Sequence, residues 1–475
     1  DQAKYVWEAR TANVVAVFNK TSGNFLKAGE TAAAGADSIG VVLDETNFYF
    51  ECGGQVYDTG VIAFKGGKFT VERVHSFGGY IVHIGTVTEG AIAAGEKDVR
   101  LEVDYVRRAP IAVNHTTTHQ LNHALRDVLQ FRKPDSFIEV SQRGSYVSED
   151  SLRFDFSWNG KLAPQEVADV EAEIAKAIAA KLTVYSGLVP LAQAGEINSI
   201  RRNFEDKYPD PCTVISIGRP VEDLVANPSS DEWKQYSIEL CGGTHITNFG
   251  DVKAAVVISE DSLMKGVRRM VMYTGDRAAK ACADADKFAA DIVATNGSTE
   301  LDHDEKQKAL SLLVKAINDA DIPLLRKWAM RDQCDAAIKA VLADKKAAAG
   351  KAKEAAKAAG ENATADGPLT VTVIPDFGAE REPLLAYADG FLAKHPGSGL
   401  FLLGVNAKTD KAMALVALSK EAVGKGLSAV EWIKAACGKG GGKPNAAQMG
   451  VAASAVPEVA QKAKDAVPAM AAKLA

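Results

Sequence analysis

Hydrophobic and polar positions alternate in short runs over the first hundred residues. Segments 14–18, 61–64 and 80–84 are rich in β-branched and aromatic side chains and are separated by glycine-containing turns, the pattern of half-buried strands. They predict a small antiparallel barrel or sandwich, β-barrel-like, over residues 1–108. The period then changes. His115, His119, Leu121, Leu125, Val128 and Leu129 recur at helical spacing and predict a helix over 112–131. Strands are expected within 143–158, then a helix over 167–182 with Pro164 in its first turn. Further strands are expected at 214–217, 237–240 and 254–258, so that residues 109–282 form an α+β core.

After Gly275 the apolar positions thin out and alanine and lysine dominate, which favours helix without supplying much apolar area. Helices are predicted over 278–291, 305–320 and 323–359, and residues 283–360 read as a helical connector. Residues 360–367 read as a linker. Strands at 369–374 and 399–405 then predict a small α/β domain over 361–475. The whole is an α+β chain of four parts.

Length and composition add bounds. A chain of 475 residues exceeds one ordinary core, and its 47% hydrophobic and 24% charged content is that of a globular protein. No apolar run is long enough for a membrane span, and the start at Asp1 lacks a signal-peptide pattern. The six cysteines have no framework spacing, which fits a reducing compartment, with cytoplasm as the default and an organelle left open. A net charge of −6 gives no global basic signature for nucleic acid. Local lysine-rich stretches at 339–357 and 420–443 are read equally well as solvated surface or as a binding patch.

The chemistry concentrates in four residues. His115 and His119 stand four apart on one helix face, so both imidazoles can reach a single ion. Cys241 and His245 bracket Gly242, Gly243 and Thr244, where two glycines let the backbone bend tightly. Three imidazoles and a thiolate make a set suited to Zn2+. Four protein donors would close a tetrahedron, so donor count alone leaves structural and catalytic zinc open. Two glycine-containing segments complete the inventory. Residues 48–55 end an apolar stretch in Gly53, Gly54 and Gln55, either a ligand loop or an ordinary hairpin turn. Residues 437–448 surround Lys439 and Lys443 with glycines whose N–H groups could face phosphate, or form a solvent loop.

With these residues collected, the chain resembles alanyl-tRNA synthetase, in the portion after its aminoacylation and tRNA-recognition domains. The resemblance rests on the run Asn114 to His119, the glycine loop from Phe48 to Gln55, and the stretch Cys241, Gly242, Gly243, Thr244, His245. Arg268 to Gly275 and the tail from Gly440 to Gln448, similar to the family's C-Ala domain, extend it over nearly the whole chain. It implies an editing enzyme, a zinc-dependent deacylase that hydrolyses seryl- or glycyl-tRNA(Ala), with zinc held by His115, His119, Cys241 and His245. Gln55 and Thr46 become candidates for holding the amino acid or the attacking water. Arg268 and Arg269 are candidates for the tRNA terminus, and Lys439 and Lys443 for the RNA backbone. With no aminoacylation segment ahead of residue 1, the chain alone is expected not to charge tRNA. A homodimer through the helical connector and C-terminal domain is a further expectation. The competing reading is a noncatalytic tRNA-binding or assembly module with a structural zinc.

Overall fold

The alternating segments at the start of the chain fold around one apolar core. In the computed structural model, which describes residues 2–36, 38–132, 139–202, 208–375, 377–406 and 409–474, ten strands precede the first long helix. They are β1 (Arg10–Ala12), β2 (Val14–Asn19), β3 (Asn24–Phe25), β4 (Thr31–Ala33), β5 (Ile39–Leu43), β6 (Gly60–Phe64), β7 (Gly67–Phe77), β8 (Tyr80–Glu89), β9 (Ala91–Ala93) and β10 (Val99–Val103). Eight form one antiparallel sheet in the order β1-β10-β6-β7-β8-β5-β2-β3, while β4 and β9 pair with each other. Val17, Ile39, Val41, Ile62, Phe69, Val74 and Leu101, from strands spread across that sheet, share one core. A flat sheet could not bring them together, so the sheet curls. The expected barrel or sandwich is thus a single curled sheet with β1 and β3 at its edges.

Helix α1 (Tyr105–Arg126) follows at once, because the Asp104 side chain accepts the Arg107 N–H at 3.1 Å and caps its first turn. It begins earlier than the predicted 112–131. Pro110 lies inside it, where the missing N–H and restricted ring made the sequence look non-helical up to that point. Asp127–Phe131 continues it as a π-turn. Then come β11 (Gln142–Val147), β12 (Leu152–Ser157), α2 (Pro164–Ala179), β13 (Val184–Val189), α3 (Leu191–Ala194), β14 (Cys212–Ile217), α4 (Val221–Ala226), β15 (Ser237–Leu240), β16 (Ala255–Met264) and β17 (Val267–Thr274). These strands make two sheets, β11-β12-β17-β16 and β13-β14-β15. Leu121, Leu125, Phe154, Phe156, Val170, Ile174, Ile215 and Met272 pack α1 and α2 onto them in one core. The helix carrying two candidate ligands is therefore held between sheets, and β15 runs straight into the segment carrying the other two.

The remaining helices are α5 (Gly275–Gly297), α6 (His303–Asp319) and α7 (Leu324–Asn362). The chain divides into two compact units, Asp1–Gly297 with Leu310–Cys334, and Ser298–Ala309 with Asp335–Ala475. In the second, β18 (Leu369–Ile374), α8 (Arg381–Lys394), β19 (Gly399–Asn406), β20 (Lys411–Leu418), α9 (Lys420–Gly424), α10 (Ala429–Cys437), β21 (Gly441–Lys443), β22 (Ala446–Ala452), α11 (Val456–Asp465) and α12 (Val467–Ala471) follow. Their five strands form a mixed sheet, β18-β19-β20-β22-β21, with β18 and β19 parallel. Trp432, Ile433 and Phe401 pack one of its cores, and Leu384, Phe391 and Leu402 another. Among the described residues no helix is long and apolar enough to cross a membrane.

Candidate metal centre

His115 and His119, one turn apart on α1, meet Cys241 and His245 just beyond β15. Their ligand atoms all lie within 4.8 Å of one another. Cys241 Sγ is 3.4 Å from His115 Nε2 and 3.4 Å from His245 Nε2. The edge of a tetrahedron with ordinary Zn–S and Zn–N bonds is about 3.5 Å, so the spacing fits.

The imidazoles are oriented from behind. His115 Nδ1 donates to Gln55 Oε1 at 2.6 Å, His245 Nδ1 faces Thr116 Oγ1 at 3.1 Å, and His119 Nδ1 is hydrogen-bonded to Glu239. The Thr116 hydroxyl is committed to donating to Ala112 O at 2.8 Å, so it accepts from His245. Each Nδ1 is thereby occupied and each Nε2 is turned toward the thiol, the arrangement found when histidine binds metal. Nε2 of His119 is buried and has no hydrogen-bond partner among the described residues. An orphaned ring nitrogen costs free energy unless something accepts its lone pair, and a metal ion does. The four residues can hold a metal ion, and their donor types suit zinc.

Electrostatics agree. Burial raises the Cys241 thiol pKa, but His115, His119 and His245 outweigh it and bring it well below the ordinary value. Burial pulls His245 down to about 4, against the pull of Cys241, so its imidazole is neutral, as ligation requires. Burial also opposes protonation of His119, yet Glu239 and Cys241 raise it to about 10, and an incoming cation displaces that proton.

The double glycine has a reason other than the one its sequence suggested. Neither Gly242 nor Gly243 takes a positive φ. Gly243 instead lies flat against His115, where an added Cβ would stand 2.1 Å from Cε1 and 3.0 Å from Gln55 Oε1. At Gly54 both conditions hold, with φ +84° and Ser145 O 2.6 Å from an added Cβ. That approach is the β-bridge through which the glycine loop joins Val147.

The centre sits in the wall of a cleft of about 1870 Å³ lined by Thr46, Gly53, Gly54, His115, His119, Glu239, Cys241 and Gly242 among others. Gln55 is fully buried, with Oε1 accepting from His115 and from the Thr244 N–H at 3.0 Å, and Nε2 donating to Thr244 Oγ1 at 2.9 Å. Thr46 is half-buried, its Oγ1 2.8 Å from His83 Nε2 and accepting the Phe48 N–H at 3.1 Å. Arg268 is buried and paired with Glu260, while Arg269 makes a fork with Asp155 at 2.7 and 2.8 Å. Both stand on β17 and neither lines the cleft. In the second unit Lys439 follows the left-handed Gly438 that ends α10, and Lys443 closes β21, paired in a hairpin with β22; both are exposed.

Sequence reasoning missed Glu239, Thr116, Thr244 and the arginines of the cleft. A signal existed for Glu239, a lone carboxylate in the four-residue strand β15, whose residues are all buried. Such an acid must have a polar partner.

Residues 212–271, which include Cys241 and His245, match the family described as threonyl and alanyl tRNA synthetase second additional domain. Residues 1–107 match tRNA synthetases class II (A), and residues 366–469 match the DHHA1 domain. Fold and site thus define a second additional domain with a potential metal centre. Among curated relatives, the cytoplasmic alanine–tRNA ligase of Drosophila melanogaster is 35% identical over 86% of this chain and 43% of its own length. That of Caenorhabditis elegans is 33% identical over 94% of this chain and 46% of its own. The mitochondrial enzyme of Saccharomyces cerevisiae is 42% identical over 54% of this chain and 25% of its own. The crystal structure of the C-Ala domain from Aquifex aeolicus alanyl-tRNA synthetase aligns with 23% of this chain and 95% of that domain, at 23% identity and a TM-score of 0.19. The chain belongs to the alanyl-tRNA synthetase family, and spans less than half the length of these curated relatives.

Proposed function

We propose that this chain hydrolyses the ester between a wrong amino acid and the 3′ end of tRNA(Ala), acting on seryl- or glycyl-tRNA. The observation that carries this reading is the His3Cys cluster in the wall of a cleft, with every Nδ1 already held. Zinc bound by His115, His119, Cys241 and His245 would polarise a carbonyl or lower the pKa of water. The protein's own groups do the rest. Gln55 is a positioning residue that fixes the plane of His115 through its carbonyl. Thr46 supports selectivity. With Nδ1 of buried His83 facing Val41 O at 3.1 Å, Nε2 takes the Thr46 hydroxyl proton, and Thr46, which lines the cleft, keeps one acceptor lone pair beyond the Phe48 N–H. A serine hydroxyl can donate to it and an alanine methyl cannot, a difference polar sites exploit strongly.

Lys439 and Lys443, exposed on the terminal hairpin, are assigned to RNA backbone, and the helical connector with the C-terminal domain to a homodimer contact. The cytoplasm is the proposed compartment, although the relatives include cytoplasmic and mitochondrial enzymes.

The test is release of serine from seryl-tRNA(Ala) and of alanine from alanyl-tRNA(Ala) by the zinc-loaded chain, with a chelated sample alongside. Selective, metal-dependent release of serine is expected. Absence of release by folded, zinc-loaded, tRNA-binding protein would instead favour a structural zinc in an RNA-binding module, the reading that four protein donors also allow.

A further inference from the structure

Beyond the metal cluster, the wall of the same cleft carries Arg126, from the last turn of α1, and Arg201. Arg201 is nine-tenths buried, and Nη1 donates to Glu239 Oε1 at 3.1 Å, but its Nε and Nη2 have no partner among the described residues. Arg126 Nη1 makes a long contact of 3.5 Å with Ser199 O, and its Nε is likewise buried and has no partner among the described residues. Asn122 Oδ1, His123 Nδ1 and Ser199 Oγ, from the same two segments, are also without partners among the described residues.

Charge makes this arrangement costly without a ligand. Burial lowers the Arg201 pKa to about 9 and Arg126 lowers it further, while Glu239 opposes both. Glu239 already accepts from His119 and from Asn122 Nδ2, the latter at 2.8 Å, and Glu139, which also lines the cleft and pulls on Arg126, makes no hydrogen bond or ion pair with it among the described residues. Arg201, nine-tenths buried, and the partly buried Arg126 thus carry charge and buried N–H donors with no partner among the described residues, and an anion would satisfy both. Arginine forks match the tetrahedral oxygens of phosphate. One carboxylate, Glu239, bridges Arg201 and the ligand His119, so the guanidinium stands beside the cluster.

We propose that Arg126 and Arg201 anchor a backbone phosphodiester next to the 3′-terminal nucleoside of the RNA whose esterified end lies at His115, His119 and Cys241. This assignment rests on the deacylase reading for its substrate. The two are separable by experiment.

Binding of cytidylyl-(3′→5′)-adenosine, which has one phosphodiester, is compared with that of adenosine on the full zinc-loaded chain, with inorganic phosphate as competitor. The dinucleotide is expected to bind at least tenfold tighter than adenosine, and Arg126→Gln to remove most of that advantage while zinc content stays at the parental level. Arg201→Lys keeps a charge beside Glu239 and serves as the second variant if Arg126→Gln loses zinc; a loss of threefold or more is expected. Equal binding of dinucleotide and adenosine, or unchanged dinucleotide affinity in a zinc-replete variant, overturns the anchor. Inorganic phosphate binding as tightly as the dinucleotide would also overturn it, in favour of a free-phosphate site. Phosphodiester-dependent binding without serine release from seryl-tRNA would keep the anchor and overturn the deacylase reading. Serine release with unaltered variants would do the reverse.

Discussion

Gly243 lies against the imidazole of His115 so closely that a methyl on its Cα would stand 2.3 Å from Nδ1, the atom hydrogen-bonded to Gln55. Gly243→Ala must therefore break the His115–Gln55 bond or move the loop carrying Cys241. At Gly242 the nearest atom to an added methyl is Lys4 Nζ at 3.7 Å, an ordinary contact. Zinc affinity is expected to fall tenfold to a hundredfold in Gly243→Ala, on the scale of lost support to a metal ligand, and to stay near parental in Gly242→Ala. Competition with a chromogenic chelator measures both. Equal affinities in the two variants would contradict the contact.

Glu239 offers a second handle on the same ligands. One of its oxygens takes the Nδ1 hydrogen of His119, and the other accepts from Asn122 and Arg201. Glu239→Gln places an N–H2 where one of these donors now points. A loss of about tenfold to a hundredfold in zinc affinity is expected. Circular dichroism should be unchanged. Parental zinc affinity would show that His119 is oriented by other contacts.

What the sequence disclosed and what it hid follow from the range of the interactions. Spacing alone brought out His115, His119, Cys241 and His245, because i,i+4 geometry is local, and they do converge. Strands β2, β6 and β8 announce themselves through short runs of β-branched and aromatic residues between glycine turns, and helices α2 and α7 through helix-forming composition. Strand β13 did not, because Tyr185, Ser186 and Gly187 interrupt its apolar run, and its pairing with β14 supplies what the pattern lacks. Charges at Arg268 and Arg269 obscured β17, whose cross-strand neighbours Glu260 and Asp155 neutralise them. The bonds of Gln55 to His115 and Thr244 span 60 and 189 residues, and no local pattern encodes such a meeting.

Stability should fall in mild acid partly through His83. It is fully buried, and desolvation lowers its pKa to about 4, from about 6.5 in an unfolded chain. The unfolded state then binds more protons between those values, so the histidine costs nothing above pH 6.5 and destabilises the fold as pH falls toward 4, by on the order of 3 kcal/mol in all. His83→Gln keeps a side chain able to meet Val41 O and Thr46. Urea unfolding of parent and variant at pH 5 and 7 should show a smaller loss on acidification in the variant. Identical losses would mean that His83 is protonated without penalty.

The position of α1, and with it both histidines, depends on one buried ion pair. Arg108 in its first turn meets Asp58, and both are almost wholly inaccessible. The guanidinium also donates to Asn47 O at 2.6 Å and Lys4 O at 3.2 Å, and Asp58 accepts the Tyr49 N–H at 2.7 Å. These contacts fasten the helix to the segment that leads into the glycine loop, and so set His115 against Gln55. Asp58→Ala leaves a buried guanidinium without its counter-charge, with an expected loss of about 3 to 5 kcal/mol in urea unfolding. Removing both charges, Asp58→Ala with Arg108→Met, eliminates the unpaired ion and should cost less than Asp58→Ala alone. Should the double variant prove the less stable, the pair would be contributing net attraction beyond its own desolvation, and the helix would be held more by charge than by packing.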